Sequence, residues 1–160
     1  MFSLLKRRTD PSSLLNSKLY DENNFYQVFI RDLKHCRKQV IIESPYMTMS
    51  RVASLTPVLK KLVKRGVKVR INTRYPGHHD KLLQIQAWSS TKALKNIGVK
   101  VWFYHDYHHR KIAVLDGKIV YEGSLNILSQ CRSAEIMRRI ESDQLSKQMM
   151  AFLGLKKRIW

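Results

Sequence analysis

The chain has 160 residues, is 44% apolar, and carries 30 Lys and Arg against 12 Asp and Glu, a net charge of +18. So apolar a chain of this length is no disordered polyelectrolyte; it fits one globular domain with a real core. A charge this one-sided exceeds what solubility requires and points to a polyanion, nucleic acid first and an anionic membrane surface second.

Residues 1–20 read as a basic N-terminal arm, with Lys6, Arg7 and Arg8 ahead of a Pro-Ser-Ser turn, and residues 21–160 as the folded domain. The opening MFSLLKRRTD has too short an apolar run for a signal peptide. No window reaches the roughly 18 apolar residues of a membrane span, and a membrane partner is not expected. Cys36 and Cys131 have neither CxxC nor zinc spacing, so they are expected to be reduced and structural, in a cytoplasmic protein.

From Asp21 the pattern turns helical, with Phe25, Phe29 and Leu33 four apart on one face. QVIIES, residues 39–44, is a short apolar run stopped by Pro45 and predicts a buried strand. Thr56-Pro57 reads as an N-cap with proline at the first helical position, and Gly66 as the stop of that helix. Val67, Val69 and Ile71 alternate with basic residues as a second strand, RYPGHHD is a loop, and residues 81–97 form a helix carrying Leu82, Ile85, Trp88 and Leu94. The strand VKVWFY follows, then a hairpin over 109–122 turning at Asp116-Gly117, a strand EIMRRI at 135–140, and a last helix near 142–153. The alternation implies an α/β fold: a mixed, mostly parallel β-sheet flanked by helices on both faces.

The hairpin carries the chemistry. His109 and Lys111 are two apart, as are Ser124 and Asn126, so if the strands stay extended the four side chains converge. An ammonium, a hydroxyl and an amide suit a phosphate, and an imidazole can attack it or pass a proton. The full pattern is His109-x-Lys111, four residues, Asp116, six residues, Gly123-Ser124-x-Asn126. It resembles the signature of the phospholipase D superfamily, with all six defining residues at the right gaps, a far more specific match than a lone short motif. VIIESPY and KKLVKRGVKVRINT also resemble that family's first strand and loop and its next helix and strand, so the likeness runs from residue 22 to about 153.

The resemblance implies a phospholipase D-like fold and a set of roles. His109 would be the nucleophile, forming a phosphohistidine. Lys111, Ser124 and Asn126 would hold the phosphate oxygens. Glu135 would hydrogen-bond the second ring nitrogen of the histidine. Asp116 opens the turn, faces away from His109, and is expected to orient backbone. Tyr46, Arg110 and Gly123 are candidate substrate-binding positions: a ring for stacking on a base, a guanidinium for backbone phosphates, and the motif glycine. Cleavage also needs a proton donor opposite the nucleophile. One HxK motif supplies one histidine, and single-motif members such as the small bacterial nucleases complete the site across a two-fold axis, so a homodimer is expected. No His, Cys or carboxylate spacing matches a zinc template, and neither a metal nor a cofactor is expected. The function implied is a metal-independent phosphodiesterase on nucleic acid, probable substrate DNA ahead of RNA, acting as an endonuclease. The alternatives are a nucleic-acid-binding module with weak or no catalysis and a phospholipid hydrolase or transferase of the same chemistry.

Overall fold

Seven strands form one sheet in the order β1-β7-β6-β5-β2-β3-β4. The computed structural model describes residues 16–155. In chain order the elements are β1 (Ser17–Asp21), α1 (Phe25–His35), β2 (Gln39–Glu43), α2 (Met49–Lys64), β3 (Lys68–Arg74), a 3-10 turn (Pro76–His78), α3 (Lys81–Asn96), β4 (Lys100–Tyr104), β5 (Ile112–Leu115), β6 (Ile119–Gly123), β7 (Ile136–Glu141) and α4 (Asp143–Phe152).

The α/β class and the helices on both faces hold, but the sheet is not mostly parallel. Only β2–β3 and β3–β4 are parallel; β1–β7, β7–β6, β6–β5 and β5–β2 are antiparallel. The reason is connectivity. A parallel pair needs a crossover, and α2 and α3 supply the two that exist; β5, β6 and β7 follow one another with no helix between them. Ser17–Asp21, which overlaps the end of the expected arm, pairs with β7 as an edge strand; residues 1–15 of that arm lie outside the described residues.

Phe25, Phe29 and Leu33 of α1, Leu55, Leu59 and Leu62 of α2, and Leu94 of α3 bury one face of the sheet together with Val40, Ile42 and Ile71. On the other face, α4 covers Ile41, Ile112, Val114 and Val120 with Met150 and Leu153. Tyr121 on β6 is fully buried, edge-on to Phe25 and Phe29 at centroid distances of 5.6 and 5.2 Å. Its hydroxyl donates to Asp32, which also takes the Nε–H of Arg139 from β7, so a buried carboxylate ties α1 to both strands.

Two helices depart from their sequence reading. Helix α2 starts a full two turns before Thr56-Pro57, capped by Thr48, whose Oγ1 accepts from the Arg51 N–H. Pro57 sits inside it, and the Thr56 hydroxyl donates to the Val52 carbonyl. In α3 the buried residues are Ala87, Ser90, Thr91 and Leu94, while Leu82 and Ile85 are exposed. An apolar cleft of about 370 Å³ lies between the two helices, lined by Met49, Val52, Ala53, Thr56 and Pro57 of α2 and by the small Ser89, Ser90 and Ala93 of α3.

The hairpin turn is set by Asp116 and Gly117, both at positive φ (54° and 67°), as a tight two-residue turn requires. The Asp116 carboxylate accepts from the N–H groups of Arg37, Lys38 and Gln39 at 2.8, 2.8 and 3.0 Å. It therefore clamps the turn between α1 and β2 to the far end of the hairpin. Asp116→Ala removes that acceptor from three donors and strains the turn; the expected loss is about 1–3 kcal/mol of unfolding free energy, measured by urea denaturation, with Asp116→Asn retaining part of it.

Candidate active site

The antiparallel run β5–β6–β7 brings the start of β5, the end of β6 and the start of β7 to one end of the sheet, where Ile112 pairs with Glu122 and Gly123 with Met137. His109, Arg110 and Lys111 lie immediately before β5, and Ser124 and Asn126 immediately after β6. The chemistry therefore sits on the ends of the strands, not within them, and strand alternation does not orient it. A cavity of about 610 Å³ opens there, lined by His109, Arg110, Lys111, Ile112, Glu122, Gly123, Ser124, Asn126 and Glu135. Of the nine site residues proposed from the sequence, seven line this cavity, all but Asp116 and Tyr46.

Gly123 makes the convergence possible. A Cβ at this position would collide with the backbone of Ile136 and Met137. The close approach lets the Ser124 N–H donate to the Ile136 carbonyl at 2.9 Å, while the Ile136 N–H donates to the Ser124 hydroxyl at 3.1 Å. The loop beyond is fastened from outside. Tyr26 donates to the Ile127 carbonyl, the Leu128 N–H donates to Ser44, and Arg51 donates to the Gln130 carbonyl at 2.9 Å while lying over the Tyr26 ring. Arg51 thus serves to fasten this loop.

Inside the cavity, Lys111 is nearly buried and His109 exposed. The Lys111 ammonium lies 2.7 Å from His109 Nδ1 and donates to the His109 carbonyl at 2.8 Å. A ring nitrogen that close to an ammonium must offer its lone pair, so the imidazole is neutral. Burial, then the Lys111 and Arg74 charges, push the His109 pKa below its ordinary value, which agrees. Burial likewise lowers Lys111. Asn126 Oδ1 is buried without a hydrogen-bond partner among the described residues.

The other assignments divide. Tyr46 stands edge-on to His109 at 5.9 Å and against His79 at 5.2 Å, on the rim. Asp116 is at the opposite end of the hairpin, bound to backbone. Glu135 lines the cavity, but its carboxylate accepts from Ser133 at 2.9 Å and not from His109; the short loop into β7 turns it toward its own neighbour. Arg110 points to the α4 side, 3.5 Å from Glu43 and over the Phe152 ring. His108 is buried behind it, its ring against Tyr104 at 4.5 Å and its Nε2 3.9 Å from Glu43.

Glu43 is the residue that the sequence reading passed over. It is fully buried at the end of β2 and accepts from Asn72 at 3.0 Å and from the Tyr104 hydroxyl at 3.1 Å. Burial and that carboxylate push Tyr104 up to about 12, so it stays a donor. The available signal was a carboxylate closing an otherwise apolar buried strand, which has to be partnered. His79 and Asp80, adjacent in sequence, do not act together: Asp80 caps α3 by accepting from the Leu82 and Leu83 N–H groups.

Residues 29–156 match the family described as cardiolipin synthase, phospholipase D-like domain. The chain belongs to the phospholipase D superfamily. Its fold is similar to that of Nuc, a phospholipase D family member from Salmonella typhimurium (TM-score 0.71, 15% identity, 85% of this chain and 90% of that one). It is also similar to NucT from Helicobacter pylori (TM-score 0.66, 21% identity, 85% and 91%). Phosphatidylserine synthase from Haemophilus influenzae shares the fold over 84% of this chain and 36% of its own (TM-score 0.61, 15% identity). No curated protein sequence matches the chain. The superfamily fold is that of a phosphodiesterase-type enzyme. Among the described residues, no helix is long and apolar enough to cross a membrane.

The Lys111 ammonium holds the His109 pKa down, so Lys111→Met moves the histidine titration upward toward 6.5, read by NMR of the ring proton. An unchanged midpoint would mean that burial alone sets it.

Proposed function

We propose that the protein is a metal-independent phosphodiesterase acting on nucleic acid, an endonuclease that works through a phosphohistidine. The observation that carries this reading is the cavity that gathers His109, the Lys111 ammonium, the Ser124 hydroxyl and the Asn126 side-chain amide, on a chain of net charge +18.

In the proposed reaction a ring nitrogen of His109 gives its lone pair to phosphorus, and the bond to the leaving oxygen breaks. Lys111 swings from the imidazole to the phosphate oxygens, where Ser124 and Asn126 donate as well and hold the charge that builds there. The leaving oxygen takes its proton from the partner's His109 across a two-fold axis, a ring that enters the cycle as imidazolium while the attacking ring is neutral, which is why a homodimer belongs to the proposal. That histidine, now neutral, activates the water that attacks the phosphohistidine, and the original imidazole is released. Glu135 is the cavity carboxylate available to an imidazole N–H once substrate has displaced the ground-state contacts. DNA is the first substrate to try; phosphate contacts alone do not distinguish it from RNA.

A second reading, a phospholipid-directed enzyme of the same chemistry, draws on the exposed Met49, Leu82 and Ile85, which a lipid surface could cover.

Incubated in excess EDTA, wild type is expected to cleave labelled single-stranded DNA, with His109→Ala at least about 10³-fold slower and its binding largely retained. Cleavage of phospholipid vesicles and not of DNA or RNA would favour the second reading. Because His109 is neutral below the ordinary histidine range, the acid limb of kcat/KM is expected below pH 6.5. Sedimentation of a fully active monomer would refute the shared site.

A further inference from the structure

Unpartnered polar groups collect on one rim of the cavity, and the winding of the sheet puts them there. β2, β3 and β4 run parallel and β5 runs against them, so the ends of the first three lie at the edge of the sheet from which β5 starts. Tyr46 follows β2, Arg74 closes β3, and residues 105–111 leave β4 and cross that edge, past β3 and β2, to reach β5. Tyr107 sits midway along the crossing, two residues before His109. Ends of parallel strands are where sheets of this kind bind ligands.

Arg74 is half-buried and forms no ion pair among the described residues. Its Nε is buried without a hydrogen-bond partner there, and its guanidinium carbon lies 5.0 Å from the centroid of the Tyr107 ring. Tyr107 is otherwise in solvent, 87% exposed. Tyr46 stands against two imidazoles, those of His109 and His79, and the His79 Nε2 is likewise buried without a partner among the described residues. The Arg74 charge reaches both rings: after burial it lowers the His79 pKa, and after burial and Lys111 it lowers that of His109. A guanidinium withdrawn from water with no anion beside it carries an electrostatic cost that a bound anion removes. From β5 to β3 is two strand spacings, roughly 10 Å, which places that anion next to the cavity and outside it.

We propose that this rim is a second nucleotide subsite: with the scissile phosphate in the cavity, a neighbouring phosphate of the same strand seats on Arg74 beside His79, and an adjacent base stacks on Tyr107, whose ring the guanidinium backs. The subsite rests on the nucleic-acid reading of the cavity. It selects a diester flanked by a further phosphate, as a strand provides and a lone phosphodiester does not. It also favours unpaired strands, because a duplex keeps its base faces stacked inside and offers the tyrosine none, a preference that phosphate contacts alone cannot supply.

The test uses the full chain in a non-cleaving His109→Ala background. Binding of oligo-dT of about eight nucleotides is read by fluorescence anisotropy, and binding of dimethyl phosphate, a diester with one charge and no base, by phosphorus NMR. Arg74→Gln is expected to weaken the oligomer about tenfold and to reduce the slope of log affinity against log salt by about 0.7, the share of one phosphate on a single strand, with at most about a twofold effect on dimethyl phosphate. Tyr107→Ala is expected to weaken the oligomer about tenfold and to leave duplex DNA unchanged, with Tyr107→Phe restoring most of the loss. Lys60→Gln, which removes the same charge from an exposed position on α2, measures the effect of net charge alone. An effect of Arg74→Gln no larger than that of Lys60→Gln, or equal for both ligands, overturns the subsite. So does an unchanged oligomer affinity in Tyr107→Ala, a substitution too exposed to disturb the fold. Weaker binding of Arg74→Gln to phosphatidylglycerol vesicles with oligonucleotide binding intact would assign the rim to a lipid headgroup and overturn it too. Wild-type cleavage in EDTA is read separately. Binding with the expected Arg74 and Tyr107 dependence but no cleavage keeps the subsite and removes the nuclease reading; cleavage with neither dependence does the reverse.

Discussion

Strand β5 is four residues long, buried throughout, and hydrogen-bonded on both sides to strands that run against it. That antiparallel placement between β2 and β6 is the constraint on which the site depends. It sets the start of β5 beside the end of β2, so His109 and Lys111 emerge next to the loop that carries Tyr46. It also returns β6 to the same end, and Gly123 lets β7 come close enough to close the cavity. A β5 parallel to β2 would have sent the histidine and the Ser124–Asn126 segment together to the end of the sheet away from the Tyr46 loop.

Around this frame the charges are arranged unevenly. Acidic groups are few and are committed inward: Asp32 to Tyr121 and Arg139, Asp116 to three backbone N–H groups, Glu43 to Asn72 and Tyr104. A carboxylate taken out of water must be satisfied locally, and each of these also joins segments distant in sequence. The cations, far more numerous, are left to the surface and to the cavity, where Lys111 presses on His109 and keeps it neutral. A neutral imidazole beside an ammonium is the state in which one group can attack phosphorus while the other receives the charge.

The six motif residues were legible because their spacing is a chemical requirement independent of how the sheet is wound. The role of Asp116 was legible for a related reason, since a residue opening a tight turn cannot also face the nucleophile. Helix α2 was misread at its start because Thr56-Pro57 imitates an N-terminus, whereas Thr48 provides the actual cap and the helix tolerates Pro57 within it. Helix α3 was legible as a helix but not in its orientation: contact with α2 selects small Ala87, Ser90 and Thr91 for the seam, leaving Leu82 and Ile85 outside. Hydrophobic periodicity reports which residues share a face, not which face is crowded.

The sequence by itself determined the superfamily, the motif residues and the strongly basic charge, because these rest on residue identity, fixed gaps and composition. Only the tertiary structure decided the direction of the three antiparallel pairings other than the β5–β6 hairpin, the inward use of Glu43 and Arg51, and the Ser133 partner of Glu135. Each of these depends on contacts between segments tens of residues apart, and local propensity contains no term for them.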